Sequence, residues 1–146
     1  MATFDPTKLE SQLCFPLYVA SKELVRVYRP HLEELDLTYT QYIVMMALWQ
    51  EKKLTVKELG EILYLDSGTL TPVLKVLEKK GYVTRTRSFI DERVLNLEVT
   101  QEGEALRRRA TFIPMKVAGE MHLSLPEAVE LSRLLYKVIG REEKNG

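Results

Sequence analysis

The chain has 146 residues with 21 basic and 21 acidic side chains, one cysteine and two histidines. That length suits one domain with a real core and is short for two. A single cysteine excludes an internal disulfide framework, and two histidines supply no metal-ligand cluster. No apolar run approaches the ~20 residues of a membrane span, and no basic-then-apolar signal pattern opens the chain. We therefore expect a cytoplasmic protein with no metal, no cofactor and no membrane partner.

In chain order, Leu9, Leu13, Leu17, Ala20, Leu24 and Val27 recur at three- and four-residue spacing, which predicts a long amphipathic first helix. Pro16 interrupts the pattern by removing a backbone donor, so a kink or a later start is expected there, and Pro30 should bend or end the helix. Thr38-Tyr39-Thr40-Gln41 is a capping box before a run to Trp49 that is apolar nearly all round, a buried second helix. Thr55-Val56-Lys57-Glu58 is another such box. Asp66 offers an N-cap to a helix whose Leu70, Val73, Leu74 and Leu77 form one apolar stripe. Gly81 supplies the left-handed position that ends it.

Tyr82 to Arg87 and Val94 to Val99 then alternate like two strands around a polar tip. A fifth helix should start at Thr100 and be disturbed near Pro114. Ser124 caps a sixth with the stripe Val129, Leu131, Leu134, Leu135 and Val138. The expected fold is mainly α: a winged helix-turn-helix with a two-stranded wing and long dimerisation helices at both ends.

Two short helices joined by a tight turn and followed by a basic hairpin are the outline of a DNA reader. Charge agrees when split along the chain. Residues 1–51 balance at −3, residues 52–109 at +3, and the remainder is neutral. On the recognition helix the apolar stripe turns Ser67, Gly68, Thr71, Pro72, Lys75 and Lys79 outward. Asp66, Ser67, Thr69, Thr71, Lys75 and Lys79 are the helix candidates for phosphates or base edges. In the hairpin, Arg85 and Arg87 share a strand face and suit phosphates. Asp91-Glu92-Arg93 closes the tip, where an arginine can enter the narrow minor groove. Phe89 and Ile90 are apolar at an exposed tip, and this outline leaves them without a role. Pro72 implies either a later helix start or a missing hydrogen bond.

The terminal helices exceed what the small core of residues 38–100 can cover. A symmetric homodimer would cover them, and would set two recognition helices about 34 Å apart to read a palindromic operator in double-stranded DNA.

The chain resembles the MarR-type transcriptional regulators over nearly its whole length. The resemblance lies in Leu65-Asp66-Ser67-Gly68-Thr69-Leu70-Thr71-Pro72, the wing Asp91-Glu92-Arg93 and Leu97-Glu98-Val99-Thr100. Residues 1–146 then form a single MarR-type domain. Residues 38–100 are its DNA-binding head, and 1–37 and 101–146 are its dimerisation helices. Gln12-Leu13-Cys14-Phe15-Pro16-Leu17-Tyr18 and Leu37-Thr38-Tyr39-Thr40-Gln41-Tyr42 are similar to the OhrR branch, repressors that sense organic hydroperoxides through one N-terminal cysteine.

A lone cysteine among Leu13, Phe15 and Leu17 is in general an inert buried side chain. Reactivity needs donors or positive charge to hold a thiolate, and no Lys, Arg or His lies within four residues of Cys14. Tyrosine hydroxyls are the remaining donors. Tyr18 is one turn away. Tyr28 is roughly 21 Å away along a continuous helix at about 1.5 Å per residue, so it can reach only a Cys14 of the partner subunit. The resemblance implies that Tyr28 and Tyr39 donate to the sulfur. With no second cysteine, a sulfenic acid on Cys14 would condense with a small cellular thiol or oxidise further. Competing expectations are a regulator released by a small phenolic ligand, a redox-responsive global regulator and, from another class, a thiol peroxidase. The last lacks a cationic activator and would leave the DNA head idle.

Overall fold

A computed structural model describes residues 3–141 and divides the chain into two compact units, Met1–Ile113 and Pro114–Gly146. In the first unit a 3₁₀ turn (Leu9–Ser11) precedes α1 (Cys14–Glu33) and α2 (Tyr39–Glu51). There follow β1 (Lys53–Thr55), α3 (Val56–Leu63), α4 (Ser67–Lys79), β2 (Val83–Arg87), β3 (Leu95–Val99) and α5 (Gln101–Ala110). Helix α6 (Ile113–Glu120) leads to α7 (Leu125–Ile139) in the second unit. The fold is that of a mainly helical winged helix-turn-helix. No helix among the described residues is long and apolar enough to cross a membrane.

Helix starts fall where short oxygen side chains satisfy orphan N–H groups. Thr38 and Thr55 each complete a reciprocal capping box, with Gln41 and Glu58. Asp66, Thr100 and Ser124 accept from Thr69, Gly103 and Glu127. Of the kink or later start expected at Pro16, α1 shows the later start. Pro16 falls in its first turn, where the missing N–H has no intrahelical partner to lose, so Cys14 becomes the first helical residue. Of the two effects expected of Pro30, a bend or an end, the end does not occur: α1 continues to Glu33, and only its last turn lies beyond the proline. Pro72 lies inside α4, which starts at Ser67, so a hydrogen bond to the Gly68 carbonyl is missing. The region around Pro114 resolves into two helices, α5 and α6, in place of one disturbed helix.

The two-stranded wing, β2 and β3, belongs to a three-stranded sheet. β1 pairs antiparallel with β3 (Leu54↔Leu97), and β3 pairs with β2 (Val83↔Val99 to Arg87↔Leu95), giving the order β1-β3-β2. Leu54, Val83 and Leu97 bury against the helices. Helix α2 is the hub, with Val44, Met45 and Leu48 fully buried against α3, α4 and β3. Leu59, Leu70, Leu74 and Leu77 complete the core. The Trp49 Nε1–H donates to the Gly103 carbonyl at 2.9 Å. At Gly103 a Cβ would lie 2.4 Å from the Tyr82 carbonyl, so only glycine lets α5 approach the start of β2 this closely. At the far end of α4, Lys80 reaches Asp36 (3.3 Å) and the buried Gln41 (3.4 Å), tying that helix to the α1–α2 corner.

In the second unit α7 ends at Gly140 in the left-handed conformation (φ 86°). Leu125, Val129, Leu131, Leu134 and Val138 along it are exposed. In the first unit Leu13, Phe15, Tyr18 and Val19 form a similarly exposed stretch at the start of α1.

Candidate nucleic-acid interface and thiol site

α3, α4 and the β2–β3 hairpin enclose an open groove of about 860 Å³. Lys57, Lys75, Arg85, Arg87 and Arg93 line it, with Glu61 the one acidic side chain among its lining residues. Such a cationic concavity beside an exposed helix suits a polyanionic backbone. Ser67 and Thr71 lie on its α4 wall. The Thr71 hydroxyl donates to the Ser67 carbonyl at 2.7 Å, which leaves its lone pairs for an incoming donor. Lys57, on the first turn of α3, was not among the sequence candidates. Only the packing of α3 against α4 turns it to this face.

The remaining candidates separate by partner. Asp66 accepts the Thr69 N–H at 2.7 Å, and that backbone bond holds its carboxyl below the ordinary aspartate value. It acts first as the cap of α4. Thr69 is exposed in the first turn, and Lys79 is exposed in the last turn, away from the groove. Arg87 donates to the Glu92 carbonyl at 3.0 Å across the hairpin. Arg93 is grasped by Asp91 through Nε (3.1 Å) and a terminal nitrogen (3.2 Å), while its side chain remains 90% exposed. Asp91 thus aims the arginine without covering it.

Arg85 lines the groove but is already paired within the head. Its guanidinium bonds to Glu78 of α4 at 3.0 Å, with the arginine side chain only 20% exposed. Its Nε is buried with no hydrogen-bond partner among the described residues. The cause is strand alternation: Arg85 shares the face of the buried Val83, so it points toward the helix.

The thiol region lies on α1, apart from the groove-lining residues. Cys14 is exposed at the first position of α1. The three tyrosines proposed to support it do not gather around it in one chain. Tyr18 is exposed, with Lys22 Nζ 5.0 Å from its ring centroid. Tyr28 instead meets Tyr39 edge to face (centroids 5.4 Å) and Tyr42 (5.8 Å). Burial raises the pKa of Tyr28, Tyr39 and Tyr42, the last to about 12, so these hydroxyls stay protonated donors at neutral pH. Because α1 is continuous between them, Cys14 and Tyr28 are roughly 21 Å apart along it.

A recognition helix, its supporting helix and a sheeted wing around a cationic groove define a winged helix-turn-helix transcriptional regulator. A sequence model of the family described as "Transcriptional regulator SarA/Rot" matches residues 26–109. The chain belongs to this MarR/SarA family. It is 47% identical over 133 residues to the HTH-type transcriptional regulator SarZ of Staphylococcus saprophyticus, covering 91% of each chain. It is 45% identical over 136 residues to the organic hydroperoxide resistance transcriptional regulator of Bacillus subtilis, covering 93% of this chain and 92% of the other. The structure of reduced AbfR bound to DNA is similar at a TM-score of 0.77 and 31% identity, covering 90% of both chains. That of a mutant Escherichia coli MarR complexed with operator DNA is similar at 0.78 and 27%, covering 86% of this chain and 92% of the other. These relatives are regulators of transcription, and the chain is a regulator and not an enzyme.

Proposed function

We propose that the protein is a homodimeric cytoplasmic repressor that binds a palindromic operator and leaves it when an organic hydroperoxide oxidises Cys14. The observation that carries this reading is the placement of Cys14. It stands exposed at the N-terminus of α1, amid an apolar stretch that a second subunit would cover. Similarity to the Bacillus subtilis hydroperoxide resistance regulator supports the same reading. Lys75, Arg87 and Arg93 of each head hold DNA, and residues 1–37 and 101–146 join the subunits.

In the chemical step the Cys14 thiolate attacks the distal oxygen of the peroxide. A sulfur–oxygen bond forms, the O–O bond breaks, and the alcohol leaves after taking up a proton. The resulting sulfenic acid condenses with a small cellular thiol, releasing water and leaving a mixed disulfide. Tyr28 and Tyr39 of the partner subunit donate to the sulfur before reaction. The bulkier modified side chain no longer fits there, and the interface carries the change to the heads as a two-state switch.

The test is peptide mass together with operator release. After mild cumene hydroperoxide and thiol treatment, the Cys14 peptide should gain one thiol adduct per chain as DNA is released. Release without modification of Cys14 would overturn the reading.

A further inference from the structure

The wing tip carries two side chains that neither the groove nor the thiol site uses. Phe89 and Ile90 are wholly exposed, at 107% and 98%. They sit on an ordered turn. Beyond the last strand pair Arg87↔Leu95, the Ser88 N–H donates to the Val94 carbonyl and the Val94 N–H to the Asp91 carbonyl, both at 2.9 Å. The Ser88 hydroxyl oxygen accepts from the N–H groups of Ile90 (3.2 Å) and Asp91 (3.4 Å). The Arg93 N–H closes on the Asp91 carboxylate at 3.0 Å. These polar contacts hold a turn whose apex presents an aromatic and a branched apolar side chain to water.

A single exposed apolar residue needs no account, but an apolar pair on a hydrogen-bonded turn, with Arg87 before it and Arg93 beyond the acidic Asp91 and Glu92, is a specific surface. Arg93, 90% exposed, lies three residues past Ile90, and Arg87 lies two before Phe89, both lining the groove. With Asp91 engaged by Arg93, an apolar centre between two groove-lining arginines matches one face of double-stranded DNA. The minor groove has apolar deoxyribose walls between two rows of phosphates, and its width of about 6 Å admits a ring edge-on. Side chains of these two types, wedged from that groove, are a known means of unstacking a base step.

We propose that Phe89 and Ile90 form an apolar wedge that enters the minor groove beside Arg93, pressing on the sugar walls and adjoining base step. This rests on the reading of the groove as a DNA surface and adds to it a contact that is not ionic.

The full-length reduced protein tests this with the duplex that the wild type enriches from a random-sequence pool. A Phe89→Ser/Ile90→Ser double variant should keep the wild-type melting temperature, since neither side chain is buried. Its affinity should fall about tenfold or more, in line with loss of buried apolar area. The slope of affinity against salt should remain that of wild type, because no phosphate contact is lost. Lys75→Ala, which removes a phosphate contact, should flatten that slope. Hydroxyl-radical cleavage, which samples sugars from the minor groove, should show protection lost only where the wing docks. Unchanged affinity and footprint would overturn the wedge. So would unchanged DNA binding accompanied by loss of self-association or of binding to anionic phospholipid vesicles. If the wild type enriches no duplex, the DNA reading itself falls, and the wedge with it.

Discussion

Arg85 of β2 and Glu78 of α4 are joined at 3.0 Å, a polar strut between the wing and the recognition helix. The strut fixes the angle at which the hairpin leaves the head. The Arg85 side chain, through its hydrogen bond, holds the Glu78 carboxyl below the ordinary glutamate value. A depressed carboxylate pKa stabilises the fold at pH above its unfolded value, and that contribution is lost as pH falls through the folded value. Wild-type stability should therefore decline below about pH 4.5. In Glu78→Gln the part due to this pair should vanish from the acid limb of a denaturation series. An identical acid limb in the variant would show that the strut contributes nothing. Arg85→Ala should weaken DNA binding with little change in salt slope if the guanidinium held by Glu78 serves to set the wing, and a slope lowered by about one unit would instead assign it a phosphate.

Lys75 and Arg93 should separate by readout. Lys75→Ala should lower the salt slope by about one unit and weaken binding across sequences. Arg93→Ala should cost about 1–3 kcal/mol at the operator. Binding isotherms across a salt series check both, and an alanine form that binds unchanged removes that residue from the interface.

The packing of α4 sets the stability of the head. Leu74 is 1% exposed on the stripe between Leu70 and Leu77. Leu74→Ala should lower unfolding free energy by about 2–5 kcal/mol, measured by urea denaturation. A loss well under about 1 kcal/mol would mean that the site collapses around the smaller side chain.

Tyr42 predicts alkaline behaviour. Burial raises its pKa to about 12, so the stabilisation is complete below the ordinary tyrosine value near 10 and is lost as pH rises from there toward 12. Tyr42→Phe has no phenol to ionise, and its stability should fall less across that interval. Equal alkaline losses in the two proteins would place the titrating group elsewhere.

The sensing proposal has a test in mixed dimers. Cys14→Ser should bind DNA and ignore hydroperoxide. In a dimer of one Cys14→Ser chain and one Tyr28→Phe chain, the surviving thiol faces an intact Tyr28 on its partner. It should react at the wild-type rate. A slow rate there would place the tyrosine in the same chain as its cysteine and contradict the geometry of α1.

What the sequence discloses tracks how local each cause is. Thr38, Thr55, Asp66 and Ser124 mark helix starts correctly because a cap is settled within four residues. The strand Lys53–Thr55 escapes notice because three residues are too few to alternate and its partner is the distant β3. The inward turn of Arg85 is readable in principle from the period of two it shares with Val83, but its charge argues for an outward one. The pairing of Tyr28 with Tyr39 and Tyr42 follows from how α1 folds back on α2, which no local pattern encodes.

The sole tryptophan gives this cluster an optical voice. Trp49 is 7% exposed, its ring centroid lies 6.5 Å from that of Tyr42, and Tyr42 in turn touches Tyr28. Emission from a shielded indole so close to the phenols will shift in wavelength or quantum yield when those rings rearrange. The kinetics of any such rearrangement can therefore be followed in the unlabelled protein by stopped-flow fluorescence, with no reporter dye introduced near the thiol.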